Sequence, residues 1–251
     1  MLVTAKDLGF DGIEIRGIEN EMYVPGFKPF LDININSTKA RLERMKLTIP
    51  CLTSACYLSR KQGIDTYLKE GMDYIDLASR LGVPNIRVLG DDSPEPKEDV
   101  DFDFVVKNLS TLADYAEGKN VGVLVETNGF FADSGRILEL INTVNSPNVG
   151  VLWDVHHPFR FMKEPVESTY ELLKERIAFV HVKDSIFENG RLIYKMTGYG
   201  DVPVEEALTL LKEGGYTGFV SLEWVKRWCL ELEDPGVVFS HFANFMRSRF
   251  D

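Results

Sequence analysis

The chain repeats one pattern of apolar and polar positions. An amphipathic helical stretch ends in a turn that contains glycine, and a short apolar segment follows, as around Gly9, Gly82, Gly118 and Gly214-Gly215. In each copy the glycine stands where a helix C-cap needs a positive φ. The apolar segments lack polar alternation, which is typical of parallel strands buried on both faces. Repeated helix, turn and buried strand indicate βαβ units.

The pattern predicts seven strands, near residues 11–16, 47–53, 85–90, 121–127, 149–154, 177–183 and 218–224. A chain of 251 residues has the length of one (β/α)8 TIM barrel. No linker or shift in composition divides it, so one domain over residues 1–251 is expected. A barrel of this type normally begins with a strand, whereas the first element here is a helix over residues 3–8. The predicted fold is therefore an α/β TIM barrel that lacks its first strand.

The lacking strand would leave a gap in the barrel between residues 11–16 and 218–224. Each of these strands would carry unpaired backbone groups at that edge. Either the two edges pair directly with each other, or something else covers the gap. A second copy of the chain, in a homo-oligomer, is our hypothesis for such a cover.

Composition and charge narrow the class of protein. Hydrophobic residues make up 44% of the chain and charged residues 27%, as in ordinary globular proteins. No apolar run reaches the roughly 18 residues that span a bilayer, and the N-terminus lacks the features of a secretion signal. A cytoplasmic protein without a membrane partner is expected. The net charge of −11, without a dense Lys/Arg cluster, disfavours nucleic acid as a partner.

Polar side chains end four of the predicted strands, and they are Glu126, Asp154, His181 and Glu223. The carboxyl ends of the strands form the active-site rim of a parallel barrel, so these side chains should converge. Three carboxylates that close repel one another unless a cation compensates them. Oxygen ligands with one imidazole suit Mn²⁺, Mg²⁺, Co²⁺ or Zn²⁺. We therefore predict one divalent metal ion held by these four side chains. Taken singly, each of them is as readily explained as a capping or ion-paired residue.

Further polar residues follow the same strand ends. His157 is expected to contact substrate oxygens or to orient a metal ligand. Lys183 is expected to bind substrate, with a surface ion pair to Asp184 as the alternative. Arg160 is expected to bind an anionic group of the substrate, with a solvated surface position as the alternative. His156 is interpreted as structural, and His241 as a surface residue.

These motifs resemble the sugar phosphate isomerase/epimerase family of xylose isomerase-like TIM barrels. That family includes ketose epimerases, hydroxypyruvate isomerases, inosose dehydratases and AP endonucleases. The similar segments cover most of the chain and are residues 9–14, 86–88, 125–127, 152–158, 180–184, 198–203 and 215–224.

The resemblance implies a single divalent metal ion on the four strand-end residues and a substrate contact at His157. The chain also departs from the family pattern. It has Asn128 where relatives often have histidine, and Val225 and Cys229 where they tend to have glutamate and histidine. These departures bear on the identity of the substrate more than on metal binding.

The function predicted from the sequence is a metal-dependent isomerase or epimerase of a small sugar, ketose or sugar phosphate. It would act by proton transfer through an enediolate, with Glu126 and Glu223 as the catalytic acid and base. A metal-dependent dehydratase of the inosose or dehydroshikimate type is the alternative within enzymes. A sugar-binding barrel without catalysis is the alternative outside them. A DNA-repair endonuclease is disfavoured by the acidic charge and by the small number of histidines.

Overall fold

A computed structural model describes residues 1–250 of the chain. Within them, parallel strands form one sheet in the order β1-β2-β3-β4-β5-β8, and β6 and β7 form a separate antiparallel hairpin. The strand bounds are β1 (Leu52–Tyr57), β2 (Asn85–Leu89), β3 (Gly122–Glu126), β4 (Val149–Asp154), β5 (Ile177–Val182), β6 (Asp184–Glu188), β7 (Arg191–Lys195) and β8 (Val220–Leu222). The predicted TIM barrel without its first strand is confirmed.

Helices separate the strands of the parallel sheet in the chain. Their bounds are α1 (Leu2–Asp7), α2 (Asp32–Met45), α3 (Ile64–Leu81), α4 (Phe102–Ala116), α5 (Ser134–Val144), α6 (Val166–Leu173), α7 (Val204–Glu213) and α8 (Pro235–Phe250). No helix within residues 1–250 combines the length and the apolar character that crossing a bilayer requires.

Helix α3 shows how the local sequence produces the βαβ unit. Its apolar side chains recur at helical spacing, so that Tyr74, Ile75 and Ala78 are fully buried. Gly82 ends the helix with φ of 76°, and its N–H donates to the carbonyl groups of the last turn. Most residues adopt this left-handed conformation only at a cost, whereas glycine adopts it freely. The chain therefore turns within three residues from α3 into the buried strand β2.

The barrel interior consists of an apolar layer beneath a polar one. Side chains two positions apart on a strand point to the same side of the sheet. A buried cluster fills the lower layer and consists of Cys51, Leu124, Leu152 and Phe179, with Phe219 packed against it. Two positions later on the same strands come the polar residues Thr53, Glu126, Asp154, His181 and Ser221. The apolar layer thus forms a floor under the strand-end residues that the sequence predicts as the site.

The place of the lacking first strand is a junction between residues 11–16 and 218–224, which we call the seam. Residues 11–16 direct their backbone hydrogen bonds towards the β1 side, for example from Ile13 N to Thr48 O at 3.0 Å. Strand β8 pairs with β5. Across the seam, Ser221 Oγ donates to Glu14 Oε2 at 2.9 Å. Among the described residues the seam is therefore bridged by side chains.

Four features differ from the prediction. Strand β1 spans Leu52–Tyr57 and lies later in the chain than the predicted residues 47–53. The segment 11–16 is irregular and pairs with its neighbour only through the bridges Gly12–Thr48 and Ile15–Leu52, since it has a strand on one side alone. Strand β8 is shortened to Val220–Leu222 and half-buried for the same reason. The hairpin of β6 and β7 was not predicted. A homo-oligomeric partner over the seam stays a prediction.

Replacing Leu152 by alanine should destabilise the protein, because the side chain is fully buried in the floor of the barrel. We expect a loss of about 2–5 kcal/mol in the free energy of unfolding, measured by urea denaturation in the presence of a chelator. The matched control is Leu230→Ala, at a leucine that is 77% exposed, which should change stability by less than about 0.5 kcal/mol. Equal effects of the two variants would contradict a packed floor.

Candidate active site

The structure brings the three predicted carboxylates together. Glu126 ends β3, Asp154 ends β4, and Glu223 directly follows β8. Glu126 and Asp154 are 3% and 0% exposed, and Glu223 is half-buried. One oxygen from each of these carboxylates and one ring nitrogen of His157 all lie within 4.8 Å of one another. Four potential ligands therefore converge at the carboxyl ends of the strands.

The ammonium group of Lys183 lies among these groups. Its Nζ donates to Asp154 Oδ2 at 2.5 Å and contacts His157 Nε2 at 2.7 Å, and it also donates to Glu223 Oε2. Burial alone would lower the pKa of Lys183, but the Asp154 and Glu223 carboxylates outweigh it and raise that pKa. The lysine is therefore charged at neutral pH. It provides, from within the chain, the compensating cation that converging carboxylates require.

Cations also keep the two catalytic candidates ionised. Burial would raise the pKa of Glu223, but Lys183 lowers it to about 2. Burial acts in the same direction on Glu126, yet the Arg87 guanidinium holds the pKa of that carboxyl well below its usual range. Arg87 Nε lies 3.2 Å from Glu126 Oε2, and both side chains are about 4% exposed. Both glutamates are therefore ionised in the resting protein.

His181 lies beside the four-residue group. Its Nδ1 is 3.5 Å from Glu126 Oε1, and its Nε2 is 2.8 Å from Glu14 Oε2. Burial would lower the pKa of His181, but Glu14 and then Glu126 raise it well above the ordinary value. Within the described residues, Nδ1 is buried without a hydrogen-bond partner. The ring thus turns one nitrogen towards Glu126 while a carboxylate holds the other.

These residues fit a divalent cation. The donors are carboxylate oxygens and imidazole nitrogens, which suit the metal ions predicted from the sequence. The Lys183 ammonium shows that a positive charge is stable among Asp154, His157 and Glu223. The Glu14–His181 pair has the arrangement that orients metal-binding histidines in proteins, with a carboxylate on the far ring nitrogen. A metal ion bound to the same carboxylates would displace the ammonium group.

The other predicted residues have partners within the protein. Arg160 lies apart from the carboxylates, where Nη2 donates to Ser185 O at 2.7 Å and pairs with Asp201. His156 Nε2 is 2.9 Å from Ser185 Oγ, which fits a structural residue. His241 is half-buried, with Nε2 2.7 Å from Thr197 O.

Asp184 organises the loop that follows the hairpin. Its carboxylate accepts hydrogen bonds from the backbone N–H groups of Ser185, Gly198, Gly200 and Val202, at 2.8 to 3.1 Å. A side chain at Gly200 would collide with the Asp184 carboxylate and with Ser185 O. The loop is therefore tied to the end of β5, next to Lys183.

Sequence reasoning missed Glu14 and Arg87, although the sequence marks both. Each is a charged residue inside an otherwise apolar segment, Gly12-Ile13-Glu14-Ile15 and Ile86-Arg87-Val88-Leu89. A charge in a buried parallel strand has to face the barrel interior, because the other side packs against helices. Neither residue ends its segment, whereas the four predicted metal ligands do.

Comparisons with known proteins agree with the barrel fold. The sequence profile of the xylose isomerase-like TIM barrel family matches residues 2–248. The chain is 24% identical over 241 residues to fructoselysine 3-epimerase of Escherichia coli O157:H7, covering 90% of this chain and 85% of the relative.

Solved structures show the same fold. The probable 3-DHS dehydratase AsbF of Bacillus anthracis superposes with a TM-score of 0.81 at 18% identity, over 99% of this chain and 92% of that one. A xylose isomerase-like TIM barrel protein of Mycobacterium smegmatis, in complex with magnesium, superposes with a TM-score of 0.74 at 18% identity, over 98% and 86%.

Replacing Lys183 by methionine should destabilise the metal-free protein. The change leaves Asp154 and Glu223 buried without their cation, which costs about 3–5 kcal/mol. Urea denaturation in a chelator measures this loss. Added Mn²⁺ should then stabilise the variant more than the wild type, because the ion no longer competes with an ammonium group.

Lys174→Met is the matched control for this variant. Lys174 is an exposed lysine that pairs with Glu171 at the surface, so its loss should change stability little. Unchanged stability of the Lys183 variant in a chelator would contradict the role of Lys183 as the compensating cation.

Proposed function

Since this chain belongs to the xylose isomerase-like TIM barrel family, we propose that it is a divalent-metal-dependent isomerase or epimerase of a small sugar, ketose or sugar phosphate. The observation that carries the proposal is the convergence of Glu126, Asp154 and Glu223 with imidazole nitrogens at the barrel mouth. Fructoselysine 3-epimerase, which is similar over most of its length, supports an epimerase. A cytoplasmic location fits the features of the sequence.

We propose that Glu126, Asp154, His181 and Glu223 hold one divalent ion, either Mn²⁺, Zn²⁺, Mg²⁺ or Co²⁺. The unpaired Nδ1 of His181 and the magnesium complex of the Mycobacterium smegmatis structure support this assignment. When bound, such an ion supplies Lewis-acid polarisation of a carbonyl group and stabilises the negative charge that develops on it. His157, released from Lys183, is then free to contact substrate oxygens.

Proton transfer falls to the two glutamates. Glu126, ionised beside Arg87, removes the proton from the carbon next to the substrate carbonyl, which gives an enediolate. Returning that proton to the neighbouring carbon completes an isomerisation. An epimerisation needs a proton delivered to the opposite face. Glu223, which comes from another strand and is half-buried, takes one up from solvent and delivers it there.

The same arrangement supports a second candidate, a metal-dependent dehydratase. Its first step is the same proton removal by Glu126. The Lys183 ammonium would then protonate a departing hydroxyl group, so that water leaves and an unsaturated product remains. The structural likeness to the probable 3-DHS dehydratase AsbF keeps this candidate in view.

Replacing Glu126 by glutamine should reduce turnover by about 10²–10⁴-fold, because the general base is lost. Circular dichroism should show an intact barrel, since glutamine has nearly the same size and shape as glutamate. NMR of a sugar panel in D₂O measures the reaction. Deuterium at carbon without loss of water supports an isomerase or epimerase, and an unsaturated product supports the dehydratase.

Glu167→Gln, at an exposed glutamate on α6, is the control and should leave turnover unchanged. Retained turnover in the Glu126 variant would contradict its role as base. Wild-type protein that binds sugars without exchange or turnover would favour a binding protein instead.

Replacing Glu14 by glutamine should weaken metal binding by about 10–100-fold, because the carboxylate that orients His181 and raises the basicity of its ring loses its charge. Titration calorimetry with Mn²⁺ and Zn²⁺ measures the dissociation constants. The control is Ser221→Ala, which removes another hydrogen bond of Glu14 and leaves its charge. If Glu14→Gln binds both ions as the wild type does, His181 is not a ligand held by Glu14.

A further inference from the structure

Two arginines at the barrel mouth have unused hydrogen-bond donors. Arg87 is 3% exposed, and Arg16 is half-buried at the end of the segment 11–16. Nη1 of both side chains is buried without a hydrogen-bond partner within the described residues, whereas Nε of Arg87 faces the Glu126 carboxylate. A buried guanidinium group normally has its donors satisfied, since an unpaired one is costly. The two side chains therefore present donors that a ligand can use.

The two guanidinium groups act on each other. Burial lowers the pKa of Arg16 first, and the charge of Arg87 lowers it further. The ring of Trp228 lies 5.9 Å from Arg16 Cζ, and Trp228 itself is 58% exposed. On the inner side, Arg87 contacts the Glu126 carboxylate. Arg16 thus lies beside an exposed ring, and Arg87 lies beside the proposed catalytic base.

A further carboxylate, Glu70, does not satisfy the free donors. It acts on both arginines, but its Oε1 accepts the backbone N–H of Ala55 at 2.6 Å. Burial raises the pKa of Glu70 despite the arginines. Neither arginine is within ion-pairing distance of Glu70 in the described part of the chain.

We propose that Arg16 and Arg87 bind an oxyanion group of the substrate, so that the enzyme acts on sugar acids or sugar phosphates in preference to neutral sugars. Guanidinium groups match carboxylate and phosphate oxygens with paired donors. Because Arg87 contacts Glu126, the anionic group lies close to the carbon that Glu126 deprotonates. This inference rests on the proposed function, because it takes the anionic ligand to be the substrate of the proposed enzyme. The proposal assigns anion recognition to Arg16 and Arg87 rather than to Arg160, because the Arg160 guanidinium group is already paired with Asp201.

Titration calorimetry on the metal-loaded full chain tests the proposal with D-fructose, D-fructuronate and D-fructose 6-phosphate as probes. We expect at least one anionic probe to bind about 10-fold more tightly than D-fructose or better. Arg16→Gln should weaken that binding by about 10–100-fold and leave D-fructose binding within about twofold, since a charge-assisted hydrogen bond is lost. The tighter of the two anionic probes identifies the carboxylate or the phosphate as the group recognised.

Arg87→Lys is a second variant, because it keeps a positive charge beside Glu126 and removes the guanidinium fork. It should also weaken binding of the anionic probe. Arg191→Gln, at an exposed arginine of the hairpin, is the control and should bind all probes as the wild type does.

Three results would overturn the proposal: no detectable binding of either anionic probe, equal affinity for neutral and anionic probes, or loss of anion binding with Arg160→Gln rather than with Arg16→Gln. Different results would overturn the proposed function and the anion site. Deuterium exchange into neutral sugars without any preference for anions would sustain the isomerase and overturn the anion site. Anion binding that depends on Arg16, without exchange into any sugar, would sustain the anion site and overturn the isomerase.

Discussion

Neutralisation of buried carboxylates is the constraint on which the rest of the barrel mouth depends. Each carboxylate inside the barrel meets a cation that comes from another segment, and the pairs are Glu126 with Arg87, Glu14 with His181, and Asp154 and Glu223 with Lys183. An uncompensated buried charge costs several kcal/mol, so these pairs are strongly coupled to the fold. Because the partners come from different strands, the same contacts that set the ionisation of the site also hold the rim together.

The position of the site could be predicted from sequence, because parallel strands in a barrel all end at one rim. Glu126, Asp154 and Glu223 were found in this way, and the structure brings them together. The cation was expected to be a metal ion alone, because Lys183 was predicted to bind substrate rather than Asp154 and Glu223. Lys183 lies two residues beyond His181 and therefore faces the same interior, as alternation along a strand would have shown.

Other features depend on contacts that no pattern of apolar positions reveals. The hairpin of β6 and β7 lies within the connection from β5 to α7. The spacing of the predicted strands therefore did not reveal it. The loop tied to Asp184 resembled a sequence motif, but the four N–H groups that converge on one carboxylate belong to tertiary structure. The role of Glu14 was hidden for the same reason, because its partners His181 and Ser221 are far along the chain.

Glu14 has two structural roles at the seam. The carboxylate that joins residues 11–16 to Ser221 is the one that fixes the His181 ring. In a barrel closed by backbone ladders, circumference is set by the number and tilt of the strands. Here part of the circumference depends on a single ionised side chain and on the groups that surround it. Whatever occupies the centre of the barrel therefore acts on its width as well as on its chemistry.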